Sequence, residues 1–176
     1  EESFKILERL LEVAKVLKIT DIVIPCVDQS SLKTKEALSR FIKQIARIIP
    51  TIEKENINLS LETDLAPKPF IELLDKLNSK NITVNYDIGN SAALGFDSDE
   101  ELTTYGDRIT DIHIKDRVLD GGPVTLGEGN ADFGKFFSKL EEFDYQGPFI
   151  MQAYRDEEGV STFKEQLDWV KTYLDC

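Results

Sequence analysis

Short apolar runs alternate with stretches of helical period along this chain. Phe4, Leu7, Leu11 and Ala14, flanked by Ile6, Leu10, Val13 and Leu17, trace a wide stripe at 3.6-residue spacing and predict an opening helix. Asp21-Ile-Val-Ile-Pro25 follows as a strand apolar on both faces, as strands of parallel sheets are. A long helix is expected from Thr34 to Glu55, with Leu38, Phe41, Ile42, Ile45, Ile49 and Ile52 on its buried side and a kink at Pro50. The next strand is Asn58 to Glu62, and a helix over Pro69 to Leu77 has Pro67 and Pro69 at its start. Ile82 to Asp87 reads as the third strand, followed by a helix to about Tyr105 capped by Ser98 or Asp99. Asp111 to Lys115 is the fourth. A Gly-rich loop then leads to a helix from Asp132, with Phe133, Phe136, Phe137 and Leu140 as its stripe. Pro148 to Ala153 is the last strand, and Phe163, Leu167, Val170 and Leu174 mark a closing helix. The pattern predicts five strands alternating with six helices, without repeat or linker.

Alternating β and α elements build a parallel sheet, as a barrel or as an open doubly wound sheet. Side chains alternate faces along a strand. Ser60 and Glu62 therefore oppose Leu59 and Leu61; Asn85 and Asp87 oppose Val84 and Tyr86; Asp111, His113 and Lys115 oppose Ile112 and Ile114. One face is polar and the other apolar, which favours a barrel over a sheet with helices on both faces. Four of the runs end on residues able to hold a metal ion: Glu62, Asp87, His113 and Gln152, at intervals of 25, 26 and 39 residues. In a (β/α)8 barrel all strands end on one face, so these four would converge there.

Length qualifies that picture. The chain has 176 residues, whereas a closed eight-unit barrel typically needs about 250. A single domain over residues 1–176 is expected, as a partial barrel without its N-terminal βα units. The open sheet would then be completed by such residues or by a second copy. The net charge of −12 argues against nucleic acid or an anionic membrane as partner. No apolar run approaches the roughly 20 residues of a membrane span. Cys26 and Cys176 make no disulfide framework, which fits a reducing, cytoplasmic location.

A hard divalent cation takes carboxylate, carbonyl and imidazole ligands, and Glu62, Asp87, His113 and Gln152 could supply them. Each has a bland alternative: a hydrogen-bonded core histidine for His113, a helix cap or ion pair for Glu62 and Asp87. The loop from Gly121 to Asp132 could cradle a phosphate through the N–H groups of Gly127 and Gly129, or be an ordinary loop. Lys115, Arg117 and Arg155 are the cations nearest the expected barrel mouth. A solvated surface role is the better reading for the two arginines.

Five strings occur in the order found in the xylose isomerase-like barrels: Ser-Leu-Glu62, Tyr-Asp87-Ile-Gly-Asn90, Asp-Ile-His113-Ile-Lys-Asp116, Leu-Gly127-Glu-Gly129-Asn-Ala-Asp132-Phe and Gly147-Pro-Phe-Ile-Met-Gln152. Within that superfamily the chain most resembles the L-ribulose and L-xylulose 5-phosphate 3-epimerases, as their last five βα units. The resemblance implies a divalent metal, Mn or Mg before Zn or Co, held by Glu62, Asp87, His113 and the fourth position. It also implies substrate contacts from Asn90 and Lys115, and a sugar or sugar phosphate as partner. In the family two glutamates exchange the proton of the substrate carbon while the metal polarises the carbonyl. Glu62 matches the first, but Gln152 stands where the second is expected. An amide can ligate a cation but cannot accept a proton near neutral pH, and epimerisation needs acid and base on opposite faces of the carbon. An isomerase working with one carboxylate tolerates the change better. The rival expectation is a non-catalytic or truncated relative that binds a sugar or a protein.

Overall fold

The first unit of the chain, Glu1–Asn85, opens with α1 (Glu2–Leu17), which buries Leu7, Leu11 and Ala14. The flanking Ile6, Leu10, Val13 and Leu17 stay exposed. The structure is a computed structural model that describes residues 2–152, 154 and 159–174. Strand β1 (Asp21–Cys26) pairs in parallel with β2 (Asn58–Thr63) from Asp21 opposite Asn58 to Cys26 opposite Thr63. The beginning of β3 (Ile82–Asp87) pairs in parallel on the other side of β2, giving the order β1-β2-β3. Leu59, Leu61, Ile82 and Val84 are buried on one face of these strands. On the other, Ser60 and Thr83 share a 2.8 Å hydroxyl hydrogen bond.

The expected long helix is two. α2 (Lys35–Ile45) starts where Thr34 caps it, its hydroxyl accepting from Ala37 N at 3.1 Å. α3 (Ile49–Glu55) restarts with Pro50 in its first turn. Proline lacks an N–H and clashes with the preceding turn, so it is tolerated only where helical N–H groups lack partners anyway. The chain therefore breaks at residues 46–48 instead of kinking. The same preference starts α4 (Pro67–Leu77) at Pro67, and the helix buries Phe70, Leu73, Leu74 and Leu77.

The second unit, Tyr86–Cys176, takes in the end of β3. Directly after it comes α5 (Ile88–Leu94), a short helix that hydrophobic periodicity does not reveal. α6 (Ser98–Tyr105) is capped by Asp97, one or two residues before the expected Ser98 or Asp99, with Asp99 N and Glu100 N donating at 2.8 and 3.4 Å. β4 (Ile109–Ile114) leads into a two-residue antiparallel ribbon, β5 (Asp116–Arg117) with β6 (Pro123–Val124), inside the segment expected to be loop. α7 (Phe133–Leu140) starts at its cap Asp132 and buries Phe133, Phe136, Phe137 and Leu140. β7 (Phe149–Met151) pairs in parallel with β4, His113 opposite Ile150, in the order β3-β4-β7. α8 (Val160–Lys171) buries Val170 from its expected stripe, while Phe163 is exposed and Gln166 is buried instead. Gln166 Oε1 accepts from Leu126 N at 3.1 Å, tying the helix to the loop before α7.

Among the described residues there are thus seven strands and eight α-helices, the extra elements being short. No described helix is long and apolar enough to cross a membrane. Behind the end of β3, the Glu101 carboxylate accepts from the hydroxyls of Tyr86 at 2.7 Å, Tyr105 at 2.8 Å and Ser91. Burial raises its pKa against the opposing effect of those bonds. The cluster fixes the residues next to Asp87 and Asn90.

Candidate metal and substrate site

In the first unit Glu62 stands one residue before the end of β2, half-buried, and its Oε2 accepts from Asn85 Nδ2 at 3.0 Å. Cys26 is buried, and desolvation together with the nearby Asp64 and Glu62 carboxylates pushes its thiol up to about 12. It is a neutral core residue.

In the second unit Asp87 ends β3 and does two things with two oxygens. Its Oδ1 accepts from Asn90 N at 2.8 Å and caps α5. Its Oδ2 faces His113 Nδ1 at 3.8 Å and Lys115 Nζ at 3.5 Å. The bland role expected for an aspartate here, a helix cap, is real, and it engages Oδ1. A separation of 3.8 Å is too long for a hydrogen bond. It suits two ligands of a common cation, each about 2.0–2.2 Å from the ion. Buried carboxylate and imidazole are ligands that Mg, Mn and Zn all accept, so the donors present fit such an ion.

Asn90, on the first turn of α5, has its Oδ1 approached by two cations. Lys115 Nζ lies at 3.3 Å and Arg117 Nη1 at 2.8 Å. Gly89 makes the approach possible: a Cβ there would lie 2.8 Å from Lys115 Cγ and 3.0 Å from its carbonyl atoms. Arg117 corrects the expectation of a solvated surface residue. It is half-buried, with Nε and Nη2 donating to Gly121 O at 3.0 and 2.7 Å. Arg155 and Ala153 lie outside the described residues. Gln152 follows β7, its N–H donating to Ile114 O at 2.9 Å, and its side chain is exposed.

The N–H groups of Gly127 and Gly129, read from sequence as either a phosphate cradle or part of an ordinary loop, are already engaged. Both N–H groups donate to Asp116 Oδ2 at 2.9 Å, and Asp116 Oδ1 accepts from Arg117 N at 2.8 Å and Ala131 N at 3.1 Å. An internal carboxylate takes the place of an external anion. Nothing in the local pattern singles Asp116 out; the trace it leaves is the pair of closely spaced glycines eleven and thirteen residues on. Gly129 is required by proximity, since a Cβ there would lie 2.2 Å from Asp116 Oδ1 and 2.6 Å from Arg117 O. Gly129→Ala should destabilise the protein by about 1–2 kcal/mol through this overpacking, read as a lowered urea midpoint at unchanged slope.

Comparison with known proteins gives the family. The family model for the xylose isomerase-like TIM barrel matches residues 1–173. The chain belongs to that family. A Haemophilus influenzae protein provisionally named L-ribulose-5-phosphate 3-epimerase is 26% identical over 190 residues, 97% of this chain and 65% of that protein. The L-ribulose-5-phosphate 3-epimerase of Salmonella paratyphi A is 25% identical over 152 residues, 84% of this chain and 52% of that enzyme. The chain thus spans about half to two thirds of the length of the curated relatives it matches.

Solved structures share the fold. A Methylomonas D-allulose 3-epimerase in complex with D-allulose superposes with a TM-score of 0.78 at 18% identity, over 97% of this chain and 68% of that one. A Mycobacterium smegmatis xylose isomerase-like TIM barrel protein in complex with magnesium gives 0.78 at 16%, over 99% and 67%. A protein of this fold solved with a bound zinc atom gives 0.77 at 19%, over 98% and 69%. The parallel sheet with alternating helices is accordingly part of a xylose isomerase-like barrel fold.

Proposed function

We propose that this chain carries the metal-binding and proton-transfer portion of a sugar-phosphate isomerase or epimerase. Glu62, Asp87 and His113 are its ligand set, Gln152 a neutral fourth group, and Asn90 and Lys115 its substrate contacts. The observation that carries this reading is the division of labour at Asp87, one oxygen spent on the helix cap and the other turned toward His113. Carboxylate and imidazole, the groups that Glu62, Asp87 and His113 carry, suit a divalent metal ion. Relatives of this fold solved with magnesium and with zinc support a divalent cation, and relatives named as epimerases support a sugar substrate.

A bound ion would polarise the substrate carbonyl and make the neighbouring C–H more acidic. Glu62 takes that proton and returns it to the same face. Asn90 and Lys115 orient the sugar. Gln152 cannot donate or accept a proton on the opposite face, so inversion stops where proton exchange does not.

Incubation with L-ribulose 5-phosphate and Mn2+ in D2O checks this. Proton NMR should show deuterium entering the carbon beside the carbonyl without the 3-epimer accumulating. Accumulation of the epimer would overturn the assignment of Gln152. Absence of exchange, with the sugar phosphate still bound, would favour the second reading, a non-catalytic relative that binds sugar. The amide at position 152 is the observation on which that second reading rests.

A further inference from the structure

In the second unit two cations share one neutral acceptor. Lys115 Nζ and Arg117 Nη1 converge on Asn90 Oδ1 from 3.3 and 2.8 Å, and both side chains are half-buried. Like charges so close repel, and partial burial screens them less than bulk water does. Asp87 Oδ2 lies 3.5 Å from Lys115 and balances one of the two charges. Asp116, between the two cations in sequence, faces away: its carboxylate is fully buried and accepts four backbone N–H groups, from Arg117, Gly127, Gly129 and Ala131. The arrangement is also held from outside, because Gly121 O fastens the other edge of the Arg117 guanidinium. Two fixed cations around an amide oxygen, Arg117 with neutral acceptors alone, therefore favour an external anion.

We propose that Lys115 and Arg117, bridged by Asn90, recognise the phosphate group of a phosphorylated sugar, with Asp116 as the positioning residue that holds Arg117 in place. This rests on the sugar-phosphate reading above and selects phosphorylated over neutral sugars. A phosphate monoester carries about −1.5 to −2 charge near neutral pH, which matches two cations; a neutral sugar offers nothing to neutralise them. Guanidinium has five N–H donors. Those of Nε, one of Nη2 and one of Nη1 are engaged, which leaves a hydrogen on each Nη for the paired hydrogen bonds that phosphate oxygens accept. Lys115 adds a point charge beside that fork.

Calorimetry on EDTA-treated protein separates this from anion binding by the metal. Inorganic phosphate should bind wild type, and Arg117→Gln and Lys115→Gln should each weaken it at least about tenfold, a change of about 1.4 kcal/mol. Wild type should prefer L-ribulose 5-phosphate to L-ribulose by at least about tenfold, and Arg117→Gln should abolish the preference. Asp116→Asn acts through Arg117, so combining it with Arg117→Gln should cost no more affinity than Arg117→Gln alone. Thermal melts identify any variant that fails to fold, and the Lys115→Gln and Arg117→Gln variants carry the test if Asp116→Asn does.

Phosphate binding that is absent up to about 10 mM, or unchanged in both Gln variants, would overturn the anion site. Fully additive losses in the Asp116 and Arg117 pair would remove Asp116 from it. If both sugars bind equally and the variants change nothing, the sugar reading stands and the phosphate site falls. If phosphate binds through Arg117 and Lys115 but neither sugar does, the anion site stands and the sugar reading falls.

Discussion

Asp87→Asn should lower Mn2+ affinity by about 100-fold or more while leaving the fold intact. The two oxygens of Asp87 make this separation possible. Asparagine is as good a helix N-cap as aspartate, so the bond from Asn90 N to Oδ1, 2.8 Å in the native protein, survives. The group at the other position, now 3.8 Å from His113 Nδ1, loses its charge, and hard cations depend strongly on ligand charge. Lys115 loses its ion partner 3.5 Å away and gains no new one. Metal-free melts should therefore differ little between the two proteins. With Mn2+ at 100 times its dissociation constant, the wild type should gain about 2.7 kcal/mol of stability that the variant does not. Equal calorimetric affinity for Mn2+ in the two proteins would sink Asp87 as a ligand.

What the sequence discloses follows the length scale of the interaction. The alternation of strands and helices is read correctly because each long element carries its own periodicity, as α4 and α7 do with four buried apolar residues each. The polar face of each strand, with Ser60 in β2, Asn85 in β3 and His113 in β4, is legible for the same reason: two-residue alternation separates it from Leu59 and Leu61, from Val84 and from Ile112. The break at residues 46–48 is less legible, since the apolar stripe runs on through it and Pro50 is compatible with a kink or a restart.

Short elements defeat periodicity altogether. The seven residues of α5 make under two full turns, too few for a stripe, and the helix exists because Asp87 caps it and Gly95 ends it with φ 71°. Candidate ligands are visible through residue type and place, but their hydrogen-bond partners are not. Asp116 lies within a recognised string, yet its role depends on N–H groups eleven to fifteen residues away. Arg117 looks like a surface cation until Gly121 O and Asn90 Oδ1 are beside it. Backbone donors are marked in sequence only indirectly, here by Gly127 and Gly129.

Gln152→Glu should tighten Mn2+ binding by about 10- to 100-fold, as an added carboxylate does at a hard-cation site. Its backbone is already committed: Gln152 N donates to Ile114 O at 2.9 Å, continuing the parallel ladder in which His113 faces Ile150. Residues alternate faces along a strand, so position 152 shares a face with Ile150 and hence with His113. The side chain is exposed, and a carboxylate there therefore incurs little desolvation in the metal-free protein. The substitution is close to isosteric, so its effect is charge and basicity, not shape. Those two consequences can be read separately. Calorimetry reports the charge, and equal affinity for Mn2+ in both proteins removes position 152 from the ion. Exchange in D2O reports the basicity: with a proton acceptor on the second face, the 3-epimer of L-ribulose 5-phosphate should accumulate at a rate approaching that of deuterium entry. Tighter metal binding without the epimer would show that the restored carboxylate reaches the ion but not the substrate carbon. Position 152 would then be a ligand alone, and inversion would require a different second base.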